Sequence, residues 1–309
     1  MKEMIKYYYN IEVEEIEELD GRYHFTFLQK DYFFVYYNRL PEELEDIINV
    51  SRNMKEKNID CHDILLNKDG QVLTKVGEYH YILLAVTNLK EEYGIIEMTD
   101  MSKRLVLNDT SGNLYRNNWS KLWSDKVDYF EYQIRELGLK KTSLTDTFSY
   151  YIGLAENAIS YVTNTNKRLQ RTTLDRIVLS HRRVFYPNLK LNYLNPLSFV
   201  FDLEVRDPAE YIKALFFSED NEFVELELDS FLKTTRLSAY GYQMFYARLL
   251  YPSYYFDVYE RIMNKDASEE ELVNIVKKAS AYELFLKKAY YNIIQYASIE
   301  KIDWLISEH

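Results

Sequence analysis

Glycine is scarce in this sequence, at 8 of 309 residues, about a third of the usual ~7%. Loops that cradle phosphates rely on glycine because backbone N–H groups must approach the ligand closely. So small a supply argues against a glycine-rich nucleotide loop. There is one cysteine, Cys61. It excludes a disulfide within the chain and fits a reducing compartment. No apolar run approaches the ~20 residues a membrane span needs, so no membrane partner is expected. Met1 to Asn10 mixes Lys and Glu with Tyr and has no apolar h-region. No signal peptide is therefore expected, and a cytoplasmic location follows. Acids outnumber bases, 49 to 38, for a net charge of −11. That argues against nucleic acid as a partner, because phosphate contacts need clustered Lys and Arg.

What is present is ordinary for a globular protein: 47% hydrophobic and 28% charged residues, in a chain long enough for two lobes. Tyrosine is abundant, at 30 residues. It fills strands and helix interfaces well, and compositional bias explains it better than cross-linking does.

The first ~85 residues read as sheet with one helix. Glu12–Leu19 alternates acids with Ile and Val, and Asp20-Gly21 signals a turn. Tyr23–Leu28 and Tyr32–Tyr37 read as strands joined at Gln29-Lys30-Asp31. Pro41 opens a helix that runs to Lys57. Asn67-Lys68-Asp69-Gly70 is a turn, and Val72–Val76 and Tyr79–Val86 are further strands. Beyond Thr87, a loop over 108–118 precedes helices at Trp119–Leu137, Phe148–Asn166, Asp207–Phe217, Tyr240–Leu250 and Tyr254–Met263. A last helix opens at Ser268 with a Glu271 capping box. Its stripe is Leu272, Val276, Ala279, Leu286 and Ile293. The order predicts an α+β protein, with a small lobe at 1–86, a helical lobe at 87–309 and a cleft that suits a small ligand.

This order resembles the aminoglycoside-phosphotransferase and protein-kinase-like fold. Tyr150 to Ala158, the stretch Phe201-Asp202 with Arg206 to Ile212, and Ile302-Asp303-Trp304-Leu305 resemble its spore-coat branch, the CotS and YutH-like proteins. The resemblance implies a two-lobed kinase-like fold and a role in spore coat assembly from the mother-cell cytoplasm. It also implies the sites to inspect. Active members pair a strand lysine with phosphates, take a catalytic Asp from a His-x-Asp loop, and hold metal with an Asn and a further Asp. Phosphoryl transfer needs those charges.

Here the strand Phe33 to Tyr37 has no lysine; Tyr36 or Tyr37 stands in its place. The loop begins His181-Arg182-Arg183, and Asn188 fits its spacing. Arg183 stands where the catalytic Asp belongs, and a guanidinium cannot accept a proton. The metal Asp falls near Asn195, leaving Asp202 as a possible carboxylate. Asp207 resembles a structural Asp that braces the loop, and its place before Pro208 suits a helix N-cap. Arg182 and Arg183 read as solvated surface charges or as anion binders. His181 reads as a packed loop histidine before it reads as a base. Cys61-His62-Asp63 is a poor metal set, since neighbours on extended chain point apart. No metal or cofactor is implied.

The expected function is that of a non-catalytic, kinase-like pseudokinase acting through protein partners, spore coat proteins among them. The alternatives are an atypical small-molecule phosphotransferase, with Asn188 and Asp202 holding metal, and a ligand sensor without turnover.

Overall fold

The computed structural model describes residues 1–19, 22–87, 94–106, 112–116, 118–137, 142–186 and 192–306. The turn expected at Asp20-Gly21, part of the loop expected over 108–118, and Asn188 lie outside these residues. The chain divides into two compact units. One takes Met1–Glu92, Asp109–Tyr115 and Asn188–Val200; the other takes Tyr93–Asn108, Arg116–Pro187 and Phe201–His309.

The first unit holds an antiparallel sheet. Its strands are β1 (Glu17–Leu19), β2 (Arg22–Phe27), β3 (Lys30–Tyr36), β4 (Asp63–Leu65), β5 (Thr74–Val76) and β6 (Tyr79–Ala85). They lie in the order β1-β2-β3-β6-β4, with β5 also on β6. In register, Phe33 faces Leu84 and Phe34 faces Leu83. All four are buried, so both faces of the sheet centre are covered. A helix that the sequence pattern did not signal, α1 (Lys2–Tyr9), brings Ile5 onto Phe25, Phe34 and Leu83, beside Ile11 and Val13. Burying each such side chain favours folding by roughly 1.5–3 kcal/mol.

The acidic stretch is strand only over its last three residues, Glu17–Leu19. The helix α2 (Glu43–Glu56) buries Ile47 and Met54, seven residues apart on one stripe. It packs against β4 and a 3-10 turn, Pro196–Ser198. Buried Arg39 ties that turn in place. Its Nη1 donates to the carbonyls of Leu197 (3.1 Å) and Phe199 (2.6 Å), and its Nε to Glu43 (2.9 Å). Asn67 forms the predicted turn, accepting from the N–H groups of Asp69 and Gln71, both at 3.0 Å. Gly70 there has φ +72°, a conformation glycine adopts without strain.

The second unit is mainly helical: α3 (Ile95–Lys103), α4 (Trp119–Leu137), α5 (Thr142–Arg168), α6 (Arg206–Phe217), α7 (Val224–Thr234), α8 (Ala239–Leu250), α9 (Ser253–Met263), α10 (Glu269–Lys277), α11 (Ala279–Ile293) and α12 (Asp303–Ile306). A strand pair, β7 (Ile177–His181) and β8 (Phe199–Leu203), completes it; β8 starts in the first unit and ends in the second. Helix α5 packs on α4 and α8, and α6 packs on α8. Tyrosines fill the interior of this unit: Tyr151, Tyr246, Tyr255, Tyr259 and Tyr282 are fully buried. The single long helix expected from Ser268 is two, broken at Lys278. Ser268 makes no side-chain cap; Glu271 pairs with Arg261 at 2.8 Å instead.

Candidate functional site

The strand β7 is five buried residues long and ends at His181. Its last N–H needs an acceptor, and α6 supplies one. The Oδ1 of Asp207 takes the His181 N–H at 3.0 Å, and its Oδ2 lies 2.6 Å from His181 Nδ1. Both side chains are sealed from solvent. A carboxylate at that distance fixes the ring proton on Nδ1. Asp207 is the second residue of α6 and caps nothing: the N-cap is Val205, without a side-chain bond. The expected N-cap role is therefore replaced by the bond to His181. Arg206 adds a second tie, its Nε donating to the His181 carbonyl at 2.9 Å.

Asp202 ends up inside. It is fully buried and accepts from Arg206 Nη1 (2.6 Å), Trp119 Nε1 (2.8 and 3.0 Å) and the Leu203 N–H (2.8 Å). Burial pushes its carboxyl above the ordinary value, against the pull of Arg206, Arg248 and Trp119. Every strong acceptor direction it offers is in use, so it presents nothing to a metal ion.

Arg183 does not stand free in solvent. Its side chain is 39% exposed, and its Nη2 lies 2.7 Å from Asp257 and 3.4 Å from Glu260 on α9. Lys126 of α4 reaches the same Glu260 at 3.1 Å. Two cations and two carboxylates thus neutralise one another. Burial raises the Asp257 carboxyl, opposed by Arg183 and Lys126. Burial, and then Arg183, lower the Lys126 ammonium.

Behind this cluster lies a charged network that the sequence reading missed. Glu210 accepts from Lys213 (2.9 Å), Arg248 (2.6 Å) and Ser253 (2.7 Å). Lys213 also donates to the carbonyls of Arg248 and Tyr251, at 2.9 and 3.1 Å. Those carbonyls close α8, and a cation there offsets the negative helix end. Burial opposes the charge on Glu210, but Lys213 and Arg248 hold its carboxyl well below the usual range. The one signal in the sequence is the i,i+3 spacing of Glu210 and Lys213. Arg248 lies over the rings of Trp119 and Trp123, 4.9 and 5.4 Å from their centroids. Trp123 stacks on Tyr251 at 4.2 Å.

The other candidates lie in the first unit. Tyr36 meets the rings of Tyr79 and Tyr81, at 5.5 and 5.9 Å, and Tyr37 donates to the Leu40 carbonyl at 2.9 Å. Asn195 caps the Pro196–Ser198 turn, accepting from the Leu197 N–H at 3.0 Å. Cys61 donates to the His62 carbonyl, His62 Nδ1 accepts from the Thr87 N–H, and Asp63 pairs with Lys55. The three are spent on different partners.

The described part of the His-x-Asp-like loop therefore offers no proton acceptor at residue 183. The carboxylates on β8, α6 and α9 that surround it are each held by a cation or an N–H. The family described as "Spore coat putative kinase YutH" matches residues 2–289. The chain belongs to this family. The endospore coat-associated protein YutH of Bacillus subtilis (strain 168) is 28% identical over 208 residues. The match spans 60% of this chain and 61% of that relative's length.

Among solved structures, an aminoglycoside phosphotransferase from Alicyclobacillus acidocaldarius is similar with a TM-score of 0.59. It is 10% identical, over 92% of this chain and 93% of that one. A spectinomycin phosphotransferase gives 0.56 at 13% identity, covering 90% and 93%. A microcompartment-associated aminopropanol kinase gives 0.55 at 9%, covering 95% and 97%. At such identities the likeness shows the fold, which is the kinase-like α+β fold that the sequence predicted. The family's description and the relative's name both refer to the spore coat. No helix among the described residues is long and apolar enough to cross a membrane.

Proposed function

We propose that this protein is a pseudokinase of the spore coat, acting by binding other proteins and not by phosphoryl transfer. One observation carries the reading: Arg183, at the place the resemblance gives to the catalytic Asp, is held by Asp257 and Glu260. A guanidinium stays protonated and cannot serve as base. Positive charge facing two acids is also no cradle for a phosphate, because those acids already neutralise it. The alternative of an atypical phosphotransferase needed Asp202 as a metal ligand, and Asp202 is committed to Trp119 and Arg206. Work in the mother-cell cytoplasm before deposition in the coat fits the single buried cysteine and belongs to the same proposal.

The test is restoration of the missing carboxylate. Arg183→Asp is expected to stay at background in phosphotransferase assays with Mg-ATP and amine or hydroxyl acceptors, because catalytic groups act as a unit. Turnover by that variant would refute the reading. So would turnover by the parent.

A further inference from the structure

Aromatic rings in the second unit form a continuous run that ends at a phenol bonded to a carboxylate. Trp119 stacks on Trp123 at 5.4 Å, and Trp123 stacks on Tyr251 at 4.2 Å. Phe256 bridges Tyr251 and Tyr255, at 5.6 and 5.7 Å. Tyr255 stacks on Tyr151 at 3.8 Å, and Tyr151 meets Tyr150 edge-on at 4.8 Å. Every ring before Tyr150 is buried. Tyr150 is 40% exposed, and its hydroxyl donates to Glu283 of α11 at 2.6 Å.

Core packing accounts for the stacking. It does not account for the contrast among the polar ends of these rings. Indoles and phenols give up one electron readily. A phenol that does so must shed its proton, because a radical cation in a dry interior is penalised as any buried charge is. The hydroxyls of Tyr151 and Tyr251 have no hydrogen-bond partner. That of Tyr255 meets the Thr147 hydroxyl at 3.0 Å, a far weaker base than a carboxylate. Trp119 does bond a carboxylate, Asp202, but a proton placed there would cost the ion pair with Arg206. Arg248, over both indoles at 4.9 and 5.4 Å, repels positive charge from them. Tyr150 alone in the run is both at the surface and bonded to a carboxylate able to take its proton.

We propose that Tyr150 and Glu283 form a proton-coupled oxidation site, the outlet through which an electron vacancy in the buried rings reaches the protein surface. A one-electron oxidant, of the class of peroxide-derived or photogenerated radicals, takes an electron from a ring of the run and is reduced. An electron from Tyr150 refills that ring. The Tyr150 O–H bond breaks as an O–H bond forms on Glu283, leaving a neutral tyrosyl radical beside a protonated carboxyl. The site is separate from the degenerate kinase loop and does not depend on the binding reading.

The test is photo-oxidation of the intact protein with tris(bipyridine)ruthenium and persulfate. Paramagnetic resonance of frozen samples reads the radical, and peptide mass spectrometry locates the oxidised residue. Tyr150 is expected to be the main site, although Tyr7, Tyr79 and Tyr132 are more exposed, at 62, 58 and 60%. Tyr150→Phe should lose most of the tyrosyl signal and shift oxidation to Trp119 and Trp123. Glu283→Gln, which keeps the phenol but removes its base, should also lose most of the signal. Tyr151→Phe removes a hydroxyl without a hydrogen bond and leaves the Tyr150–Glu283 pair in place, so a lower yield there reports passage through the run. Tyr186, which donates to Asp220 at 2.9 Å and is not a member of the run, controls for a carboxylate by itself. Oxidation that follows exposure across the surface tyrosines overturns the proposal. So does a full signal in Glu283→Gln or in Tyr151→Phe, or oxidation of Tyr186 equal to that of Tyr150.

Discussion

Replacing Asp207 by alanine should destabilise the second unit far more than replacing Arg183. The wild-type carboxylate satisfies two buried groups, the His181 N–H at 3.0 Å and the ring Nδ1 at 2.6 Å. Alanine leaves both without that acceptor in a site closed to solvent. An unsatisfied buried donor costs about 1–3 kcal/mol, so the pair should cost roughly 2–6 kcal/mol. Arg183→Ala removes ion pairs whose partners are about one-third exposed. Solvent screens such pairs to about 0–1 kcal/mol. An arginine free in solvent would cost under ~0.5 kcal/mol, and the contacts to Asp257 and Glu260 raise that expectation. Urea unfolding at neutral pH measures both, read as a shift of the midpoint at constant slope. Asp207→Asn should fall between, since one oxygen can still accept from the His181 N–H. The reasoning is refuted if Asp207→Ala unfolds within ~0.5 kcal/mol of the parent, or if Arg183→Ala costs more.

Three further outcomes are expected. Because Glu210 has its carboxyl held well below the ordinary value, it contributes stability that is present above the unfolded-state value and lost as pH falls through the folded one. Acid unfolding of Glu210→Gln should therefore show a flatter dependence below about pH 4.5 than the parent; equal slopes would contradict the assignment. Burial raises the phenols of Tyr246, Tyr254 and Tyr282 well above normal. Their stabilising effect is complete below about pH 10 and lost above it. Tyrosinate absorbance should then rise together with loss of helix signal, and independent titration of these tyrosines in a folded protein would refute their burial. The Cys61 thiol, pushed up to about 12 by burial, should resist a thiol reagent in the native state and react once in urea. Rapid native labelling would show that the strand β4 region opens.

The helical half was largely legible because its helices carry strong periodic patterns. Trp119–Leu137 was bounded correctly, and Phe148–Asn166 falls inside the longer α5. The misreadings have specific causes. The β2–β3 turn was placed at Gln29-Lys30-Asp31 because no Asn-Gly or Asp-Gly marks Leu28-Gln29. The last helix was run through Lys278 because neither proline nor glycine signals the break. α1 was missed because its tyrosines leave no apolar stripe apart from Ile5. At the site, spacing led to His181, Arg183, Asp202 and Asp207. It could not disclose their partners, which lie far along the chain: Asp257 and Glu260 for Arg183, and Trp119 for Asp202. Burial of Glu210, Lys213 and Arg248 was equally hidden, because charged residues are almost never fully buried unless paired.

The most direct test of the non-catalytic reading is a thermal melt of the intact protein with and without Mg-ATP. A ligand at one hundred times its dissociation constant stabilises by about 2.7 kcal/mol, which for a chain of this size corresponds to a shift of about 5 °C. With Arg183 clamped on Asp257 and Glu260, Asp202 sealed on Trp119 and no lysine on β3 beyond Lys30, the melting temperature should be the same with millimolar Mg-ATP as with magnesium alone. A dose-dependent rise of several degrees would contradict the central claim.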